Sequence, residues 1–146
     1  MFNSMFDKGM LPVLEAGLNF TTARRQAILQ NLANVDTPFY KAVDAPVAEF
    51  QQLLKRSIQH RDERPVPIFK LEQGLDVKGK PEGGLAVRFH ENKDEGPLGH
   101  NDNNTNIEME MVRMADNTAM HNALAELLQQ QFKMLGDAIR ARGAAA

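Results

Sequence analysis

Two helical repeats, one at each end, constrain this chain more than any other feature. From Leu11 the positions Leu11, Leu14, Leu18, Thr21, Arg25, Ile28, Leu32 and Val35 recur in alternating steps of three and four, the a/d spacing of a helix that packs lengthwise on another. The C-terminal end repeats the pattern through Ile107, Met111, Met114, Thr118, His121, Ala125, Leu128, Phe132, Leu135 and Ile139. Local signals mark the ends. Pro12 suits a first helical turn, where its missing N–H is not needed, and Pro38 drives Thr37 out of the helical region, so the first helix is expected to stop near Val35 or Asp36. Thr105-Asn106-Ile107-Glu108 fits a capping box that starts the second. Glu108 and Glu110 complement its positive end, and Arg140 and Arg142 its negative end ahead of Gly143.

The middle is written differently. Val47, Phe50, Leu54 and Ile58 after Pro46 predict a short amphipathic helix to about His60. Residues 67–71 and 85–89 alternate apolar and polar around a Gly-rich stretch, which predicts a small β-hairpin with a long tip. Residues 91–104 carry almost no apolar content and read as a mobile loop. The chain therefore divides into a first helix with its trailing loop (1–43), a middle part (44–104) and a C-terminal helix (105–146). The expected fold is mainly α, with the long N- and C-terminal helices paired as a coiled coil beside a short middle helix and a small β-hairpin.

The core inventory is thin for 146 residues, with no Trp, one Tyr, eight Phe and eight Met. Met packs adaptably but specifies a core weakly. Such seams are expected to close fully against neighbouring copies or partners, which favours an assembly subunit over a free-standing bundle.

Several chemistries are excluded or disfavoured by the residues. The 17 Lys and Arg against 19 Asp and Glu give a net charge of −2, without the cationic excess that neutralising many phosphates requires, so no nucleic-acid partner is expected. With no Cys, thiol nucleophiles, disulfides and thiolate zinc sites are excluded. No apolar run is long enough for a membrane span, and the first residues lack the basic and apolar regions of a cleaved secretory leader. A calcium loop starting at Asp102 fails, because Ile107 stands where the turn Gly belongs and Arg113 where the bidentate Glu belongs. His60, His90, His100 and His121 show no metal-binding spacing, although His60 with His90 and Glu91 could meet through folding; His121, on the seam, is expected to set register. Ser4 and Ser57 lack a nucleophile motif, and Gly79 to Gly84 lacks phosphate-loop spacing. No enzyme activity, cofactor or metal is expected.

At the end of the first helix stand Asn31-Leu32-Ala33-Asn34-Val35-Asp36-Thr37-Pro38-Phe39-Tyr40-Lys41. This resembles the N-terminal signature of the bacterial flagellar rod and hook family, matched at Asn31, Leu32, Ala33, Asn34, Thr37, Pro38, Tyr40 and Lys41. The departure is Phe39, where the family usually has Gly; a bulky residue disfavours a tight positive-φ turn there. The late stretches Asn104 to Met111 and Ala115-Asp116-Asn117 are similar to the proximal-rod members, and the chain lacks the large β-rich middle of the longer ones. Together the likeness spans residues 11–50 and 100–140.

The resemblance implies a structural subunit of the periplasmic rod of the flagellar basal body. Such subunits are exported uncleaved through the flagellar type III export gate and assemble helically with copies of themselves, other rod proteins and the rod-to-membrane-ring adaptor. It also implies that Leu14, Leu18, Ile28 and Leu32 face Met114, Leu128, Phe132 and Leu135 within and between subunits. The loop from Asn34 to Lys41 would then touch a neighbour. Read from its residues alone, that loop is equally a helix stop, since Asn34 and Asp36 accept capping or left-handed conformations. Another rod subunit, the ring adaptor, or a soluble helical adaptor or chaperone are the alternatives.

Overall fold

The computed structural model describes residues 10–63, 69–80, 84–92 and 102–144, with 142–144 described by backbone alone. Among these the chain is mainly α: helix α1 (Leu11–Ala33), helix α2 (Val47–Asp62) and helix α3 (Ile107–Ala144). Four short strands, β1 (Val43–Asp44), β2 (Val77–Gly79), β3 (Leu85–Val87) and β4 (His90–Glu91), form two antiparallel pairs. In β1 and β4, Val43 lies opposite Glu91; in β2 and β3, Val77 lies opposite Val87.

Helix α1 opens with Pro12 in its first turn and stops two residues before the sequence-based boundary. Its stop is built by Asn34, whose side-chain amide donates to Gln30 O at 2.8 Å while its backbone N–H turns back to Asn31 O at 3.1 Å. These bonds satisfy carbonyls that would otherwise be orphaned at a helix end. The helix also buries more than a narrow seam: Val13, Ala16, Gly17, Phe20 and Ala27 are buried beside Leu11, Leu14, Thr21 and Ile28. The reason is a second layer. Ala16 and Phe20 join Ala45, Phe50, Leu53, Leu71 and Val77 in the core between α1, α2 and the strands, and the Phe20 and Phe50 rings stack at 4.1 Å.

An adjoining face of α1 carries α3, in the largest contact between two helices. The two run antiparallel, since Asn31 bonds Glu110, Thr21 bonds Asn117, and Gly17 approaches Leu124 so closely that a Cβ would sit 2.9 Å from its methyl. Continued along this register, α3 extends about 20 Å past Leu11, the described start of α1.

Two local expectations are corrected. The hairpin's first arm is Val77–Gly79 rather than residues 67–71; residues 67 and 68 lie outside the described residues, and 69–71 form no strand. Val77–Gly79 reaches Leu85–Val87 through a short connection, where Lys80 N–H donates to Gly84 O and Gly84 takes φ +87°. A short loop closes at lower entropic cost than the long tip expected from the alternation pattern. The cap of α3 is Asn106 rather than Thr105: Asn106 Oδ1 accepts from Glu108 N at 2.9 Å and Met109 N at 3.3 Å. Asn ranks with the best N-caps, and the Thr105 N–H is already given to Asn103 Oδ1 at 2.7 Å. Most of the expected mobile loop, residues 93–101, lies outside the described residues.

Candidate functional site

Asn31, fully buried in the last turns of α1, is the centre of a hydrogen-bonded joint. Its amide nitrogen donates to Val43 O at 2.7 Å and to Glu110 Oε1 at 3.0 Å. Its oxygen accepts from Val43 N at 2.9 Å and from the Tyr40 hydroxyl at 3.0 Å. The side chain thus mimics a strand partner for Val43 while reaching across to α3. Every donor and acceptor of a buried amide is used, which is what its burial demands. Glu110, only 1% exposed, also accepts from Arg113 Nη1 at 2.7 Å, an ion pair one turn along α3. Burial, and after it the negative charge of Glu110, push the Tyr40 phenol above its ordinary 10.0, with a bond from Gln30 working the other way. Tyr40 therefore holds its proton and remains a donor.

The loop after α1 is clamped from the other side. Asn103, buried just before α3, aims its amide nitrogen at three carbonyls, Asn34 O, Val35 O and Thr37 O, each at 2.9 Å. Asn104 Oδ1 accepts from Ala42 N at 2.7 Å, and Lys41 Nζ donates to Asp102 O at 2.8 Å. Thr37 Oγ1 donates to Asn34 Oδ1 at 3.2 Å. Asp102 takes φ +57°, a conformation Asp tolerates, and this turn delivers Asn103 and Asn104 to the loop. Downstream, Arg24 holds Asp44 with two bonds of 3.0 Å, tying β1 to the middle of α1.

Phe39 differs from its surroundings. The tight turn is kept despite the bulky residue: Phe39 adopts φ +62° and is 73% exposed. That left-handed conformation costs an L side chain about 1 to 2 kcal/mol. The clamp by Asn103 over-determines it.

The eight signature positions do not all contribute in the same way. Asn31, Asn34, Thr37, Tyr40 and Lys41 bond within the joint, Leu32 is half-buried, and Ala33 and Pro38 are exposed. Of the seam residues, Leu14 and Ile28 are buried, Leu18, Met114, Leu128 and Leu135 are half-buried, and Phe132 is 51% exposed. The stripe that α3 turns to α1 passes through Glu110, Asn117 and His121, about one residue round from Ile107 and Met111, both exposed. His121 Nδ1 lies 2.8 Å from Thr21 Oγ1, and Asn117 donates to Thr21 O at 2.9 Å.

His60 pairs with Glu72 at 2.6 Å and His90 with Asp76 at 2.8 Å, so folding takes these two histidines to separate carboxylates. His100 lies outside the described residues. Among the described residues no group of three or more His, Asp or Glu is placed to hold a metal ion, and no helix is long and apolar enough to cross a membrane. An apolar groove of about 310 Å³ opens between α2 and α3 over a floor of α1, lined by Leu14, Gly17, Phe20, Val47, Leu54 and Met120 among others.

Sequence reading gave Asn103, Asn104 and Glu110 no part in this joint and did not pair Arg24 with Asp44. One signal was present: Glu110, Asn117 and His121 recur at heptad-like spacing, and polar residues in phase with a seam mark register-setting contacts. Compared with protein-family models and with curated proteins, the chain matches none.

Proposed function

We propose that this chain is a non-enzymatic structural subunit of the proximal rod of the bacterial flagellar basal body. In that role it is exported through the flagellar type III gate, assembles helically with copies of itself and other rod proteins, and transmits torque from the membrane ring. The joint centred on Asn31 carries the reading. Five of the residues that carry the resemblance to rod and hook proteins, Asn31, Asn34, Thr37, Tyr40 and Lys41, fix the loop after the first helix to the start of the last. A subunit that transmits torque needs its two terminal helices locked in register, and buried polar contacts do that better than apolar ones. Pairing of the terminal helices as a coiled coil, within and between subunits, is part of the proposal. Its support is the antiparallel α1 and α3, with α3 running on past the described start of α1.

Electron cryotomography of motors in a strain lacking this protein tests the role. Membrane and cytoplasmic rings without rod, hook and filament are expected. Complete flagella would overturn the role and favour a soluble helical adaptor. In the same strain, Leu128→Asp, a charge on the half-buried stripe of α3, is expected to abolish incorporation into the rod while secretion of the monomer continues.

A further inference from the structure

Phe39 and the groove between α2 and α3 are two apolar features that the fold leaves unfilled, and they are complementary. We infer that Phe39 of one copy seats in the groove of a second copy of this chain, an inference that rests on and deepens the assembly reading above. Phe39 is 73% exposed and has a positive φ. The clamp by Asn103 holds the turn in that conformation, and a bulky, exposed side chain kept where Gly would cost nothing points to a use for the side chain. The clamp by Asn103 on three loop carbonyls presents it rigidly, so little conformational entropy remains to be lost on docking.

The groove fits such a knob. Its volume of about 310 Å³ exceeds the roughly 150 Å³ in which an apolar cavity takes up a benzene ring. Its floor includes the stacked pair Phe20 and Phe50, which offers aromatic surface to an incoming ring. Charge agrees as well. Lys41, two residues from Phe39, uses one of its three donors on Asp102 O, and Asp116 on the rim is an exposed carboxylate. The ring cannot fill its own groove, because the groove lies against residues 13–24 and Phe39 beyond the end of α1, about 20 Å further along. Knob and groove are therefore different patches on one molecule. When it is made one way, such a contact is heterologous and generates an open helix of subunits wherever its rotation does not close.

The absence of Cys allows a direct test on the full chain. Pro38→Cys, at an exposed position beside Phe39 that leaves the ring in place, on one copy is mixed with Gln51→Cys, at the groove edge, on another, and mildly oxidised. Mixed disulfide dimers are expected at least tenfold more than with Arg56→Cys, which is exposed and turned away from the groove on α2. Equal yields, or none at millimolar chain, would overturn the contact and leave the groove to another occupant. Phe39→Gly supplies the second measurement: thermal stability should rise as strain is relieved, while self-association by sedimentation equilibrium weakens at least tenfold. If Phe39→Gly associates as tightly as the parent and still enters rods, the contact fails and the rod reading stands. If motors of the deletion strain are complete, the rod reading fails whatever the crosslinks show.

Discussion

Helices α1 and α3 lie side by side yet are anchored by opposite means. α1 is covered on two adjoining faces and buries Leu11, Val13, Leu14, Phe20, Ala27 and Ile28. Among the described side chains of α3, only Glu110 and Asn117 are buried, and both are polar. Its apolar residues Met111, Val112, Met120, Leu127, Met134 and Ile139 remain largely exposed. The difference teaches what each helix is for. Burial of apolar area stabilises α1 in the fold and is indifferent to small shifts along the axis. The polar contacts of α3 contribute less net energy but are directional, so they fix one register. The apolar surface of α3 stays available to other molecules.

The largest effect should come from breaking the polar anchor. Glu110→Ala removes an acceptor from Asn31 and leaves the Arg113 guanidinium beside a buried site, so we expect a loss of about 3 to 5 kcal/mol in urea unfolding. A loss under about 1 kcal/mol would mean that α3 is held by its apolar contacts after all, and the contrast between the helices would collapse.

How legible was this in the sequence? The helices were, because a/d spacing, Pro12, Pro38 and the polar cap before Ile107 are local signals that tertiary packing did not override. The width of α1's buried face was not. Val13, Ala16 and Phe20 fall off the a/d repeat, and their burial depends on α2 and the strands folding back over them. On α3 the expected seam was legible at Met114, Thr118, His121, Ala125, Leu128 and Leu135, which are half-buried; near the start of the helix the buried positions are Glu110 and Asn117, and there apolar character pointed one residue round, to the exposed Ile107 and Met111. The loop after α1 was legible as a helix stop but not as a joint. Its partners Asn103 and Glu110 lie far along the chain, joined to it by contacts that no local pattern encodes.

A smaller effect follows from Tyr40, the chain's one Tyr in the absence of Trp. Its phenol is raised above 10.0 in the fold, chiefly by burial, so above pH 10 the unfolded chain sheds this proton first and binds fewer protons than the native one. Stability is therefore flat below pH 10 for this group and falls as pH rises through the folded value. Phenolate absorbance should show a titration midpoint above 10 in the native chain, returning to about 10 in urea. Tyr40→Phe should lose about 1 kcal/mol at pH 8, where the bond to Asn31 Oδ1 exists, and less at higher pH. An unchanged midpoint in urea would place Tyr40 outside the joint, and with it the link between the signature and α3.

The smallest expected effect sharpens the other half of the comparison. Met134 lies on α3 with more than half of its surface exposed, so its burial in the monomer is too slight for truncation or a polar group to cost much. Met134→Gln keeps the length and helix propensity of the side chain and should change the unfolding free energy of the dilute chain by less than about 0.5 kcal/mol. Ile28, 1% exposed on the facing helix, gives the scale, since Ile28→Ala creates a cavity worth about 2 to 5 kcal/mol. A small loss for Met134→Gln in the monomer together with impaired rod incorporation would assign that stretch of α3 to contacts between subunits. A loss comparable to Ile28→Ala would instead mean that α3 is covered within its own chain, and that its apolar residues are core after all.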